Sequence, residues 1–285
     1  MTPQIHNTIN RSKSNIMFAV CALFTLVILV ILGLVIAYLI SIGLKSLSLD
    51  FFTQLPSGDP NDPGGMKHAI IGTLILLALA SSVGIPLGLL SGVYLAEYHG
   101  DWWLTGPVRF VCDVLAGVPS IVVGILGYEA LVVPLGHYNG WAGAMALAFI
   151  MIPIVTRTTE EMLRLVPNSY REASIALGAT KARTIVKVVI PAATGSLVTG
   201  IMLALARVAG ETAPLLFTAL GTRLLTHNPN EAFPSLTVQI YTYAIWPYEK
   251  QKELAWAGIL VLICLIFVLN LTVRYFTRQT RIAKG

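Results

Sequence analysis

Long uncharged apolar stretches recur along nearly the whole chain, and they restrict its fold more strictly than any other feature. A helix that spans a bilayer needs about 20 predominantly apolar residues. Six candidate stretches cover residues 16–43, 69–95, 114–135, 140–156, 192–220 with an interruption, and 254–273. Hydrophobic residues make up 55% of the sequence and charged residues 12%, which leaves too little polar surface to coat a soluble globule. We therefore predict an all-α, polytopic membrane protein with six transmembrane helices.

Lysine and arginine are distributed unevenly between the two sets of connections that six spans would create. Cytoplasmic loops of membrane proteins retain an excess of these residues. The set that includes both termini holds most of them: Arg11, Lys13, Arg109, Arg157, Arg164, Arg171, Lys181, Arg183, Lys187, Arg274, Arg278, Arg281 and Lys284. Both termini are therefore predicted to be cytoplasmic. Because the net charge of +5 follows mostly from this asymmetry, no nucleic-acid partner is predicted.

The connection between the fourth and fifth stretches, called here the 169–191 segment, carries a distinctive local pattern. Ser169 and Glu172 match a capping box, which predicts a helix that starts near Tyr170. Gly178 is expected to end that helix, and a second helical stretch is expected to open after Thr180. Two rigid pieces joined by one permissive residue suit a part that lodges in a partner's groove. The capping box alone would also fit an ordinary amphipathic connector.

Charged residues interrupt the fifth apolar stretch. Arg207 lies about 24 Å along a helix from Pro191, near the middle or outer half of a membrane. A guanidinium there costs about 2.5 to 3.5 kcal/mol, so it normally faces a polar cavity or a partner charge. Glu211 follows one turn later, and a self-neutralising structural pair is one interpretation. The other is a substrate site, because Gly210 and Pro214 would break the helix and a broken helix at this depth usually lines a cavity.

The chemistry of Arg207 favours an anion as the occupant of such a site. Its fixed fork of donors matches the oxygens of phosphate, sulfate or carboxylate, and its charge persists at all relevant pH values. Glu211 could accept a hydrogen bond from a protonated oxyanion, which would favour hydrogen phosphate over sulfate. Thr212 and Thr218 are candidate further donors, although threonine more often bonds back to its own helix.

Motifs for ATP binding and hydrolysis are missing from the sequence. No Gly-x-x-x-x-Gly-Lys-Ser/Thr loop occurs, and neither H-E-x-x-H nor G-x-S-x-G is present. The three cysteines are scattered in or beside apolar stretches and the five histidines lack metal-ligand spacing, so no metal site is predicted. Energy for transport must then come from another subunit or from an ion gradient.

Several segments together resemble one family, the A-type permease of the bacterial phosphate-specific ABC importer (the PstA family). Residues 206–219, ARVAGETAPLLFTA, resemble its fifth span. Similar segments are 92–98 (GVYLAEY), 119–124 (PSIVVG), 157–163 (RTTEEML) and 254–258 (LAWAG). The signature loop of such permeases is matched by Glu172, Ala173, Ser174, Gly178, Ile190 and Pro191. Ser174 stands where the loop motif has alanine and Ile190 where it has leucine, and both changes keep size and apolarity.

The resemblance implies a type I ABC importer permease fold and a set of partners. Its domains would be a cytoplasmic tail (1–15), a first transmembrane helix with an outer loop (16–65), the permease domain (66–274) and a basic cytoplasmic tail (275–285). The implied partners are a C-type permease, two copies of an ATPase that bind ATP and Mg, and a phosphate-binding receptor outside the membrane. No cofactor is expected in this chain, which would lie in the bacterial plasma membrane. Arg207 and Glu211 would belong to the translocation path, and the 169–191 segment would couple it to the ATPase.

Two groups of residues suggest structural roles. Gly84, Gly88 and Gly92 recur every four residues and predict close helix packing, either within the chain or against a partner permease. Arg109 and Asp113 are one turn apart and are expected to form an ion pair.

Three charged or polar stretches are interpreted as solvated. The charges of residues 157–166 are expected to form a solvated face. The outer loops 44–68 and 221–253 are expected to be solvated connectors, and they are also candidate contacts for a receptor.

Two alternatives to an ATP-driven phosphate importer stay open. A stand-alone ion-coupled carrier or channel would use Arg207 and Glu211 as a charge relay and would transport when expressed alone. An ABC permease for another oxyanion or an amino acid would keep the architecture, and only the resemblance of residues 210–219 opposes it.

Overall fold

The protein is built almost entirely of helices, several of them long enough to cross a membrane. The computed structural model describes residues 3–59, 62–98 and 103–282, with side chains for all of these except 3–12, 63 and 276–282. Residues 1–2 and 283–285 of the two predicted tails lie outside the described residues. Within the described part, five helices are long and apolar enough to span a bilayer, and a bent helix pair would supply a sixth crossing. The predicted fold class is therefore confirmed.

The first part of the chain forms one long helix and a small substructure of a short helix and a hairpin. Helix α1 (Pro3–Gly43) is followed by a 3₁₀ turn at Leu44–Ser46, helix α2 (Leu49–Thr53) and a hairpin of strands β1 (Pro56–Asp59) and β2 (Asp62–Gly64). The strands pair antiparallel. Tyr38 of α1 makes an edge-to-face contact with Trp256, with ring centroids 5.6 Å apart, so α1 packs on the last helix of the chain.

The remaining helices follow one another with short connections. They are α3 (Lys67–Glu97), α4 (Thr105–Gly117), α5 (Ser120–Gly127), a π-helical turn (Tyr128–Val132), α6 (Val133–Leu135), α7 (Gly140–Arg164), α8 (Asn168–Ala176), α9 (Lys181–Thr184), a second π-helical turn (Ile185–Val189), α10 (Ile190–Ala209), α11 (Ala213–Thr218), α12 (Leu236–Ile245) and α13 (Glu249–Ile282). The apolar core lies mainly between α3, α7, α10 and α11.

The third span is not the continuous helix predicted over residues 114–135. The helical path begins earlier, at Thr105, and bends by 104° between α4 and α5. Val118 has an extended conformation (φ −69°, ψ 130°) because the ring of Pro119 disfavours a helical conformation in the residue before it. The second half of this span therefore runs in a new direction and packs against α11.

The glycine repeat of α3 packs against α7 of the same chain. A Cβ at Gly88 would lie 2.6 Å from the Cβ of Val155, and one at Gly92 would lie 2.6 Å from the carbonyl oxygen of Thr156. Of the two predicted contacts, the intrachain one is thus the one observed. The absence of side chains on this face brings the two helix backbones close together.

Gly92→Ala should lower the thermal-unfolding midpoint of the detergent-purified protein. The added methyl group meets a backbone carbonyl that cannot move aside, and overpacking of this kind costs about 1 to 3 kcal/mol. Gly33→Ala in α1 is the matched control, because nothing lies within 4 Å of a Cβ there. The midpoint of that variant should stay unchanged or rise slightly. Equal midpoints for both variants would show that the α3–α7 contact is looser than described.

The outer segment predicted as a solvated connector, residues 221–253, is partly buried. All residues from Phe233 to Val238 are buried, and Ser235 caps α12 by accepting a hydrogen bond from the Val238 N–H. Leu236 and Tyr243 pack in a second apolar cluster with residues of α3 and α13. The solvated interpretation was wrong for this part because a run of apolar residues follows the capping serine.

Candidate functional site

The fifth span breaks at residues 210–212. Helix α10 ends at Ala209, and the N–H of Glu211 donates to the carbonyl of Val208 at 3.1 Å in a tighter final turn. Helix α11 starts at Ala213, with Pro214 in its first turn, where a missing N–H costs nothing. The predicted interruption of this span is confirmed, and it places a short non-helical stretch between two helical pieces.

The polar side chains around the break do not satisfy one another. Arg207 is exposed in the last turn of α10, and Glu211 and Thr212 are half-buried beyond it. Among the described residues these three side chains make no hydrogen bond or ion pair. The predicted self-neutralising pair is absent because the helix ends between Arg207 and Glu211. Thr218 is buried and donates to the carbonyl of Pro214 at 2.7 Å, so it bonds back to its own helix as the alternative predicted.

Two other helices contact the break directly, and a third holds one of them. The hydroxyl of Thr237 in α12 donates to the carbonyl of Glu211 at 3.1 Å. The N–H of Leu236 donates to the Thr73 hydroxyl of α3 at 2.8 Å. On the other side, a Cβ at Gly124 of α5 would lie 2.9 Å from the Cα of Pro214. No local pattern predicts these contacts, because each joins residues far apart along the chain.

The 169–191 segment folds as helix, glycine turn and helix, but without the predicted capping box. Helix α8 already begins at Asn168 after Pro167, and no side chain caps it, because Ser169 lies inside its first turn. Gly178 has a left-handed conformation (φ 82°) and ends the helix as predicted. Thr180 accepts a hydrogen bond from the Arg183 N–H at 3.4 Å, which confirms the predicted second helix start.

One face of this segment is exposed and apolar at its tip. Leu177 is 89% exposed, and Ile175 and Tyr170 are more than half exposed. Glu172 and Ala173 are also exposed, whereas Ser174 is half-buried and shares a 2.9 Å hydrogen bond with the hydroxyl of Thr184. Exposed apolar patches of this kind mark sites of interaction with proteins or membranes.

A continuous helical path connects this segment to the break in the fifth span. It runs over the 29 residues Lys181–Ala209, through α9, the π-helical turn and α10. Ile190 and Pro191 lie at the start of α10, directly after the π-helical turn. The wider π turn accommodates a proline, which has no N–H to donate. One continuous helical path therefore joins the 169–191 segment to Arg207.

A buried carboxylate near the same end of the bundle was missed in the sequence. Glu160 of α7 is 2% exposed and pairs with Arg109 at 2.6 Å, Arg164 at 2.7 Å and Arg157 at 3.3 Å. Asp113 pairs with Arg157 at 2.8 Å. The predicted Arg109–Asp113 pair is therefore wrong, and residues 157–166 do not form a simple solvated face. Both corrections have one cause, since a carboxylate buried in α7 requires cations from its surroundings.

The architecture matches solved transmembrane subunits of ABC importers. A chain from a structure described as inward-facing conformations of the MetNI methionine ABC transporter superposes with a TM-score of 0.60 and 21% identity, covering 75% of this chain and 96% of that one. A chain of a bacterial ABC transporter involved in alginate import gives a TM-score of 0.62 at 14% identity, covering 89% and 95%. These likenesses define the class, an ABC importer permease fold.

Sequence comparisons place the chain more narrowly. Residues 84–282 match the family model described as binding-protein-dependent transport system inner membrane component. A phosphate transport system permease protein PstA of Haemophilus influenzae is 43% identical over 85% of this chain and 86% of its own length. A probable PstA of Methanocaldococcus jannaschii is 35% identical over 96% of this chain and 97% of its own. The chain thus belongs to the PstA family of inner membrane transport components.

Family membership confirms several predictions at once. The chain is a multi-pass inner membrane protein and a non-catalytic membrane component, with the ATPase in another subunit. A permease of this class works with an ATPase and with a substrate-binding partner.

Proposed function

We propose that this chain is the membrane-spanning permease subunit of an ATP-driven importer of inorganic phosphate. The observation that carries the proposal is the continuous helix Lys181–Ala209, which joins an exposed docking segment to a helix break with polar side chains. A protein that only anchored a complex would not need such a connection. A chain that converts movement outside the membrane into altered access within it does need one.

In this account the ATPase binds the tip of the 169–191 segment and moves it during each cycle. A hydrogen bond of 2.9 Å between the hydroxyls of Ser174 and Thr184 joins the two helical pieces across the turn at Gly178, so the segment moves as a unit. The displacement passes along α9 and α10 and shifts Arg207 relative to Glu211 and Thr212. Alternating access at residues 207–212 is the expected result.

Phosphate as the cargo is supported by two independent arguments. Two relatives, each 43% identical over 85% and 81% of this chain respectively, are named phosphate transport system permeases. The chemistry also fits, since the Arg207 guanidinium is not paired within the described part of the chain and offers a fork of donors to an oxyanion. The half-buried Glu211 carboxylate would accept a hydrogen bond from a protonated oxygen of the cargo. Hydrogen phosphate has such an oxygen, and sulfate lacks one.

The partners in this proposal follow the resemblance of the sequence. They are a C-type permease that forms a heterodimer with this chain, two ATPase subunits and a phosphate-binding receptor outside the membrane. ATP and Mg would be held by the ATPase subunits, and this chain would carry no cofactor. Both termini would lie in the cytoplasm, on the side of the 169–191 segment.

Uptake of radiolabelled phosphate into vesicles tests the proposal. The chain should transport only when the C-type permease, ATPase and receptor are present and ATP is supplied, and excess sulfate should not compete. Vesicles that hold this chain alone serve as the control. Uptake by the chain alone in response to an ion gradient would identify a carrier instead, and competition by sulfate would change the cargo.

A further inference from the structure

A second connection joins the 169–191 segment to the bundle, apart from its continuation into α10. Arg171 of α8 reaches Glu97, the last residue of α3, with 2.6 Å from Nη2 to Oε1 and 3.1 Å from Nε to Oε1. The same guanidinium donates to the carbonyls of Leu163 at 2.9 Å and Val166 at 2.7 Å, at the end of α7. One arginine therefore joins the ends of three helices.

The geometry of this contact is unlike that of an ordinary surface ion pair. The side chain of Arg171 is 18% exposed and that of Glu97 is 5% exposed. The Arg171 Nη1 also donates to the Asn168 side chain at 3.4 Å, so all three guanidinium nitrogens are engaged. Shielded, forked contacts are stronger and more directional than exposed pairs, and a lysine could not reproduce them.

Further contacts surround Arg171 and lead to the same helix ends. The Nζ of Lys181 in α9 lies 4.3 Å from the ring centroid of Tyr98, the residue that follows α3. An apolar cluster below these contacts combines residues of α3, α7, the second π-helical turn and α10: Ala96, Leu163, Val166, Val189, Ala193 and Leu197. Both arms of the 169–191 segment thus contact the end of α3.

We propose that Arg171 is a positioning residue that makes the 169–191 segment, α3 and α7 move as one body. The inference rests on the proposed function as an ATP-driven importer. The close glycine packing between α3 and α7 already holds these two helices together, and Arg171 attaches the docking segment to both. When the ATPase displaces the 169–191 segment, α3 and α7 then move together with α10. Without Arg171 the same displacement moves α10 alone, so ATP is hydrolysed without completed transport.

Arg171→Gln and Glu97→Gln test this role in vesicles that hold the complete transport complex. Each should raise the number of ATP molecules hydrolysed per phosphate taken up by at least about fivefold, the lower range of energetic coupling between sites. Arg171→Lys should leave the ratio almost as high, because lysine lacks the planar guanidinium that makes the forked contact. The control is Lys13→Gln, which removes one exposed positive charge in α1 and should leave the ratio unchanged. A wild-type ratio in Arg171→Gln overturns the inference. A variant that only assembles fewer complexes would lower ATP hydrolysis and uptake equally, and its ratio would stay at the wild-type value.

Cross-linking provides a second test, in which a covalent link replaces the contact. Glu97→Cys and Arg171→Cys are combined in a chain whose native Cys21, Cys112 and Cys264 are replaced by alanine, and are joined with a short bifunctional thiol reagent. Unlinked complexes lack the Arg171–Glu97 contact and should show the raised ratio of Arg171→Gln, and linking should lower that ratio toward the wild-type value. A ratio that stays raised after linking overturns the inference.

The cargo can be wrong without affecting this result. If the wild-type complex hydrolyses ATP but takes up no phosphate, the proposed function fails at its cargo. Stimulation of ATP hydrolysis by the receptor then decides the inference. Stimulation that is weak in the unlinked double-cysteine complex and restored by linking supports one rigid body, and stimulation that linking does not restore overturns it.

Discussion

Replacing Glu160 with glutamine should destabilise the protein by about 3 kcal/mol, because three arginines would lose the carboxylate that they share. Breaking a buried ion pair costs about 3 to 5 kcal/mol. The lower end applies here because Glu160 is 2% exposed but its partners Arg109, Arg157 and Arg164 are 35%, 38% and 48% exposed and keep part of their hydration. Thermal unfolding of the detergent-purified protein measures the effect.

The neighbouring residue offers a control with the same change of charge. Glu161 is exposed, and Glu161→Gln should leave the free energy of unfolding within about 0.5 kcal/mol of the wild type, as for most surface substitutions. If Glu160→Gln is no less stable than Glu161→Gln, the arginines are not held by a common buried carboxylate. A loss in both variants would point to net charge rather than to the cluster.

Gly178→Val should abolish most transport while the protein still inserts and folds. Gly178 has a left-handed backbone (φ 82°), which costs an L-residue about 1 to 2 kcal/mol, and β-branched valine is among the least tolerant. A penalty of about 1.4 kcal/mol already reduces the population of the required turn tenfold. The two helices of the 169–191 segment would then meet at another angle. ATP-dependent phosphate uptake, normalised to the amount of assembled complex, measures the loss.

Gly178→Asn separates the backbone conformation from the space around it. Nothing lies within 4 Å of a Cβ at this position, so both side chains have room in the isolated chain. Asparagine tolerates the left-handed region, and its variant should retain most of the uptake. Loss of uptake in both variants would mean that a partner occupies this space. Full uptake by the valine variant would contradict the role of the turn.

The features that could be predicted from the sequence depend on local residues. Gly178 ends a helix by its own conformational freedom, and Gly210 with Pro214 interrupts the fifth span. Apolar stretches of sufficient length gave the number of spans. Each of these signals lies within a few residues of the structure that it produces.

The features that were missed depend on tertiary contacts. Arg109 and Glu160 are separated by 51 residues, and Arg171 and Glu97 by 74. A local rule paired Arg109 with Asp113, one turn away, but a buried carboxylate needs a cation more than an exposed one does. The 104° bend of the third span is a different case. It depends on a local signal, because Pro119 restricts the backbone conformation of Val118.

ATP-dependent phosphate uptake by the complete complex containing wild type, Arg207→Ala or Arg274→Ala tests whether phosphate passes Arg207. Arg274 is an exposed arginine near the end of α13, away from the break, and it controls for loss of one positive charge. Arg207→Ala should assemble and hydrolyse ATP but take up no phosphate, while Arg274→Ala should transport normally. Uptake by Arg207→Ala at the wild-type rate would show that the path for phosphate lies elsewhere.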